Sequence, residues 1–312
     1  MMRAMIVFAG VLMILPACVP ATGVPVQHQD KLAEILARGT LVIATDADYM
    51  PQSRLLPDST PNANTKCSPV QYTANQMVGF DVNVAEEIAR QLGVEPCFVT
   101  PPWSQLVAGN WGDNWDIHVG SVAITLDRMK VLYFSQPYYA TPTLILVHRD
   151  NTTFQRPEDL SGRRIGVCVG CTFEAYLNGS LQLPGQTIEY CVRDAEIVGY
   201  ENEAPAIEDL SAGDGVKLDA VITLLPVASQ AMDRGSPIKI MGAPLWYAYA
   251  SVTFDRSSRR DQLRLMADVS SIIEALHADG TLKRWSVEYQ GVDLTSDAAR
   301  FDLSLLDQTS QP

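Results

Sequence analysis

Apolar residues recur along this chain in two patterns. Short runs such as Leu41 to Ala44, Glu95 to Thr100, Ile117 to Val122 and Arg164 to Val169 read as strands buried in a parallel sheet. Between them, apolar positions return every three or four residues, the spacing of a helix with one buried face. Gly79 to Gly93 is the clearest case: Phe80, Val84, Ala85, Ile88 and Leu92 share a face, and Gly93 stops the helix. Asp30 to Arg38 is a shorter version, ended by Gly39. Ala204 to Ala212, Asp261 to Ala278 and the segment from Gly280 are also predicted helical. Thr187 to Val192 and Glu196 to Gly199 carry strand signals, and Lys217 to Ala228 reads as a strand running into a helix. Strands alternating with helices predict an α/β fold.

Candidate chemistry concentrates in Asp116 to Tyr139. The apolar run there ends at Gly120-Ser121, and Thr125-Leu126-Asp127-Arg128 follows as a predicted helix start, with Thr125 as N-cap. A strand opening into a helix N-terminus leaves backbone N–H groups free to bind an anion. Arg128 adds a two-pronged grip on a carboxylate. The expected clamp is the Ser121 hydroxyl, the amide near Ala123 and the Arg128 guanidinium. The plainer alternative is a surface arginine paired with a nearby acid. Gly170-Cys171-Thr172 repeats the arrangement, with Thr172 opening a second helix. Asp46, Asp48 and Tyr49 follow the first strand, beyond its carboxyl end, where open α/β sheets bind ligands. The two aspartates are equally well read as turn formers that bond their own backbone.

The stretches GFDVNVAEEIARQLGV, GSVAITLDRMKVLYFSQPYY and EDLSGRRIGVCVGCTFEAYL occur in that order. They resemble the polar amino-acid family of bacterial extracellular solute-binding proteins, which serve ATP-driven importers. The resemblance spans roughly Gly39 to Tyr289. It implies a two-lobed type II periplasmic-binding-protein fold, each lobe a mainly parallel sheet flanked by helices, joined by two crossover strands. The expected division is residues 30–140 and 246–295 in lobe 1, residues 141–245 in lobe 2, and a tail over 296–312. The resemblance also implies an aromatic at Tyr49 packed on the ligand and a pocket-lining residue at Trp103, which on burial statistics alone is equally a core tryptophan. Cys171 stands where the family often has Thr. The family's amino-acid binders usually carry an Asp two residues before Pro226, to pair with the ligand's ammonium; this chain has Leu224. The amine is then held elsewhere, by Asp46, Asp48 or an aromatic face, or the ligand has none.

Length and charge agree with this reading. At 312 residues two domains are the natural expectation. A net charge of −13 argues against a nucleic-acid partner. Met1-Met2-Arg3 and the apolar run Ala4 to Leu15 read as a signal peptide over 1–17, too short to span a membrane comfortably. Leu15-Pro16-Ala17-Cys18 resembles a lipobox. It implies lipidation of Cys18, a tether over 18–29 and a cell-envelope lipoprotein on the exported face. Of the other five cysteines, Cys67 and Cys97 share one predicted lobe. Cys67–Cys97 and Cys171–Cys191 are the expected disulfides, with Cys168 buried as a small apolar residue.

The function expected is capture of an amino acid or related small carboxylate by lobe closure, for an ABC permease. No catalytic residue, metal or cofactor is expected, and a monomer is. A periplasmic dehydratase-like enzyme on the same scaffold and a ligand-sensing subunit are the alternatives.

Overall fold

The computed structural model describes residues 30–306. The predicted signal peptide, the tether, Cys18 and the end of the tail lie outside the described residues. Nine strands form one large mixed sheet. They are β1 (Thr40–Ala44), β2 (Tyr72–Thr73), β3 (Glu95–Val99), β4 (Ile117–Ala123), β5 (Leu132–His148), β6 (Arg164–Cys168), β7 (Glu196–Tyr200), β8 (Ala220–Leu224) and β9 (Ile238–Asp255). Their spatial order is β7-β6-β8-β5-β9-β4-β1-β3-β2. β3-β1-β4 and β7-β6-β8 are parallel. The long antiparallel pair β5 and β9 runs through the middle and joins the two groups. These are the two crossover strands, and they turn two parallel sheets into one continuous ladder. The β5–β9 register shifts between Met241 and Trp246, so that residues 242–245 lie opposite Leu144.

Period-two alternation with both faces covered accounts for the apolar strands. In β1, Leu41 and Ile43 join one hydrophobic cluster with Phe80, Ile88 and Ile273, while Val42 and Ala44 join another with Trp111, Trp115 and Phe134. The second lobe packs Ile145, Ile165, Val167 and Ile222 with Phe173 and Trp246 on one side of its sheet, and Leu144, Leu146, Val221 and Leu210 on the other.

The helices are α1 (Lys31–Arg38), α2 (Phe80–Leu92), α3 (Trp103–Ala108), α4 (Thr172–Leu177), α5 (Glu203–Ser211), α6 (Leu225–Asp233), α7 (Leu263–Ala278) and α8 (Thr281–Gln290). α1 and α2 end as expected, on Gly39 and Gly93 in left-handed conformation. A buried ion pair ties α1 to the sheet: Lys31 Nζ lies 2.9 Å from Asp116 Oδ1, each side chain 1% exposed, and Asp116 Oδ2 accepts from Val42 N at 2.8 Å.

Two expectations need correction. Thr187 to Val192 is not a strand: Tyr190 stacks on Tyr176 and its hydroxyl donates to Leu181 O, so side chains hold this segment where a ladder was expected. No helix starts at Thr125; a single 3₁₀ turn, Arg128–Lys130, fits before β5 begins at Leu132. The tail expected from residue 296, as far as residue 306, packs against the rest of the molecule. Gln136 Nε2 donates to Ala298 O at 2.7 Å, Phe301 packs on Tyr249, and Leu306 is buried.

Candidate functional site

A cavity lies where the carboxyl ends of β1 and β4 meet the first turns of α4, α5 and α6. Arg128 dominates one side of it. The 3₁₀ turn that carries it is started by Thr125, whose Oγ1 accepts from Arg128 N at 3.1 Å. The side chain is 8% exposed. Nη1 donates to Ala123 O at 3.0 Å, and Nη2 crosses to the other lobe to donate to Gly170 O at 3.1 Å. The guanidinium carbon sits 5.2 Å from the centre of the Trp103 ring. Burial lowers its pKa to about 10, so it stays charged at neutral pH. No carboxylate pairs with it among the described residues. Two carbonyls occupy only part of the planar donor fork.

β4 supplies the wall beside it. Ser121 has φ +59, rare outside glycine, and this turns the strand end toward the cleft. The Ser121 hydroxyl donates to Asp81 Oδ2 at 2.7 Å and its N–H to the Tyr138 hydroxyl at 2.9 Å; Tyr138 in turn donates to Asp81 Oδ1. Both Ser121 protons are therefore engaged inside lobe 1, which leaves the hydroxyl oxygen to accept. Asp81 is fully buried. Burial raises it to about 7, against the lowering effect of these hydrogen bonds. Gly120 is required here, since a Cβ would collide with the His118 imidazole. His118 is buried with neither ring nitrogen partnered, and burial and the Arg128 charge push it down to about 3, which keeps it neutral.

Of the residues expected at the site, Asp46, Tyr49, Trp103, Ser121, Ala123, Arg128, Cys171 and Thr172 all line this cavity. Asp48 is exposed and stays outside it; its N–H bonds Asp46 Oδ1 at 3.1 Å, so Asp46 serves a turn and faces the cavity at once. The Nε1 of Trp103 is buried without a partner. Leu224, at the end of β8, also lines the cavity and is 7% exposed, so an apolar side chain stands where the resemblance implied a carboxylate.

The cysteine pairing differs from expectation. Cys67–Cys97 is formed and pins the long polar loop to β3. In the second lobe Cys168 bonds Cys171, and Cys191 is free. Gly170, at φ +74, folds the chain back so that the two Cα atoms come within 5.5 Å, inside the range a disulfide needs. Cys191 is held elsewhere by its N–H bond to the Tyr176 hydroxyl. Cys168, Cys171 and Glu203 come close enough to suggest a metal site, but both sulfurs are spent on each other and offer no thiolate.

Glu203 escaped sequence reasoning. It is the first residue of α5, follows the N-cap Asn202, is 5% exposed and lines the cavity. Burial, opposed in part by its own amide, raises it to about 7, and the charge of Asp46 pushes the same way. Only the tertiary arrangement brings the start of α5 beside the loop after β1. The Glu201-Asn202-Glu203 run before a helix was the sole local hint.

The model of one family, bacterial extracellular solute-binding proteins, family 3, matches residues 63–292. The chain belongs to this family. Among its relatives, the probable amino-acid-binding protein YxeM of Bacillus subtilis strain 168 is 28% identical over 229 residues, 73% of this chain and 81% of YxeM. The L-cystine-binding protein TcyJ of Escherichia coli K12 is 24% identical over 85% of this chain and 87% of its own. Among solved structures, the ancestral amino acid-binding protein AncCDT-1, a precursor of cyclohexadienyl dehydratase, superposes with a TM-score of 0.66 at 25% identity, covering 84% of this chain and 99% of that one. A P235GK mutant of ArgBP from T. maritima gives 0.66 at 23% identity, covering 83% and 98%. As in the family at large, the chain is an exported substrate-binding protein. No helix among the described residues is long and apolar enough to cross a membrane.

Proposed function

We propose that this protein captures an amino acid or closely related small carboxylate between its lobes and presents it to the permease of an ABC importer. Arg128 carries the proposal. A guanidinium that is buried, lines the cavity and lacks an acidic partner calls for an anion, and a carboxylate fits its planar fork. The bond from Arg128 to Gly170 O supports a role in closure, since contacts to both lobes exist only when they meet. Ser121 and Ala123 would face the ligand from lobe 1, Thr172 and Cys171 from lobe 2, with Trp103 and Tyr49 as aromatic walls. Curated relatives bind amino acids, among them cystine, arginine and histidine, which supports the class. A monomer tethered through a lipid on Cys18 is the form proposed for the mature chain, with lobe 1 from residues 30–140 and 246–295.

The test is a thermal-shift screen against amino acids, their deaminated analogues, betaines and dicarboxylates, with Arg128→Ala alongside. A carboxylate that stabilises the native protein and not the variant supports the proposal. No response from any carboxylate removes it.

A second reading adds chemistry to the same scaffold. Glu203, raised to about 7 inside the cleft, is the kind of acid a dehydratase needs, and AncCDT-1, itself an amino acid-binding protein, is a precursor of one. Product formation from prephenate or arogenate, lost in Glu203→Gln, would favour it over binding alone.

A further inference from the structure

Two buried ionisable side chains of opposite type face one cavity, and no ion pair joins them. Arg128 is the first. Glu203 is the second, 5% exposed. Its carboxylate accepts from its own amide and lies 3.8 Å from the Cys168 sulfur, measured at Oε1. That sulfur is bonded to Cys171 and has no proton to donate. Asp46 reaches the same cavity from the opposite lobe and acts on Glu203 as a neighbouring negative charge. Asp46, Glu201 and Glu203 outnumber Arg128 in the lining, so the cavity is acidic overall.

A buried carboxylate without a cation is unfavourable, and a second acid beside it makes matters worse. Both costs vanish when a positive group lies between the two. We propose that Glu203 and Asp46, one from each lobe, form the cation-binding half of the cavity, and that the ligand is a cationic amino acid whose carboxylate lies on Arg128. This rests on the solute-binding reading and names its substrate class. Leu224 then stands at an apolar wall, because the positive charge is received elsewhere in the cavity. A cation shared between Asp46 and Glu203 also bridges the lobes, so closure is favoured by the ligand's positive group as well as by its carboxylate.

The experiment is calorimetric titration of the purified protein with L-arginine, L-citrulline, 5-guanidinopentanoate and 5-ureidopentanoate. These have similar length and keep the carboxylate; the second lacks the distal charge, the third the α-ammonium, the fourth both. L-Arginine should bind tightest and 5-ureidopentanoate weakest, with each positive group worth on the order of tenfold. Glu203→Gln should compress that spread by at least about tenfold, and Glu203→Asp should retain it. Asp46→Asn, an independent variant in the other lobe, should compress it likewise. Unliganded melting curves show that each variant folds. Equal binding of all four acids, or a spread unchanged in both neutralising variants, overturns the inference. If none of the four binds while another carboxylate from the screen does, the inference falls and the solute-binding reading stands. If no carboxylate binds, both fall.

Discussion

Arg128 Nη2 lies 3.1 Å from the carbonyl oxygen of Gly170, so one side chain of lobe 1 is bonded to the turn that opens α4 in lobe 2. Arg128→Ala should reduce carboxylate binding by on the order of a hundredfold, since two charge-assisted bonds to the ligand are lost. It should cost the unliganded fold little, because the charge removed is buried without a counter-ion. Arg128→Lys keeps the charge and loses the fork, and should fall between. Calorimetric titration with the strongest ligand from the screen checks both.

Asp116 is the acid of a buried pair with Lys31, and it also accepts from the Arg38 guanidinium. Asp116→Ala removes the shortest and only fully buried partner of the Lys31 ammonium, leaving it the longer contacts to Glu34 at 3.5 Å and Asp113 at 3.7 Å. Urea unfolding should show a loss of about 3–5 kcal/mol, the usual consequence of removing one partner from a buried ion pair. Ligand affinity should change far less, because the pair sits under α1, away from the cavity.

Stability should carry a pH signature from Asp81. Its pKa is raised to about 7 in the folded protein from an ordinary value of 3.8. The folded state therefore holds a proton that the unfolded chain releases between about pH 4 and 7. The stabilisation is complete below pH 4 and is lost as pH rises through 7. His118, lowered to about 3, works in the opposite direction between pH 3 and 6.5. His118 is common to the native protein and an Asp81→Asn variant, so the difference between the two isolates Asp81. Melting curves from pH 4 to pH 8 should show the variant gaining on the native protein, by on the order of 1–4 kcal/mol across the range.

The Cys67–Cys97 bridge spans 30 positions of chain, from the polar loop through α2 to β3. Cys67→Ser should lower stability by about 3–4 kcal/mol on the loop-entropy model. Ligand binding should survive, because neither cysteine lines the cavity. Guanidinium unfolding of the two proteins under oxidising conditions measures the difference.

Much of this architecture was legible in the chain. α2 followed from its apolar stripe between two glycines, and β1 from an apolar run that packs on both faces. Arg128 and Thr172 came into view because strand ends and helix starts converge in such folds, and Trp103 through the family resemblance. What escaped was set by contacts between distant segments. Glu203 becomes a cavity residue only when α5 is placed beside the loop after β1. The Cys168–Cys171 bond depends on the left-handed Gly170 between them; lobe membership did not choose among Cys168, Cys171 and Cys191, and Cys168 read as an apolar strand residue. The expected helix at Thr125 fails because only three residues separate Arg128 from β5, room for a single turn.

The shift between Met241 and Trp246 has a mechanical consequence. The other register shifts of the pair, on either side of Ser251, are of a single residue each, and a bend there would have to break closely spaced bonds together. Residues 242–245, with Gly242 and Pro244 among them, offer the least resistance along the pair. The compliant point of the molecule is therefore built into the ladder itself, and swinging of one half against the other will pivot there.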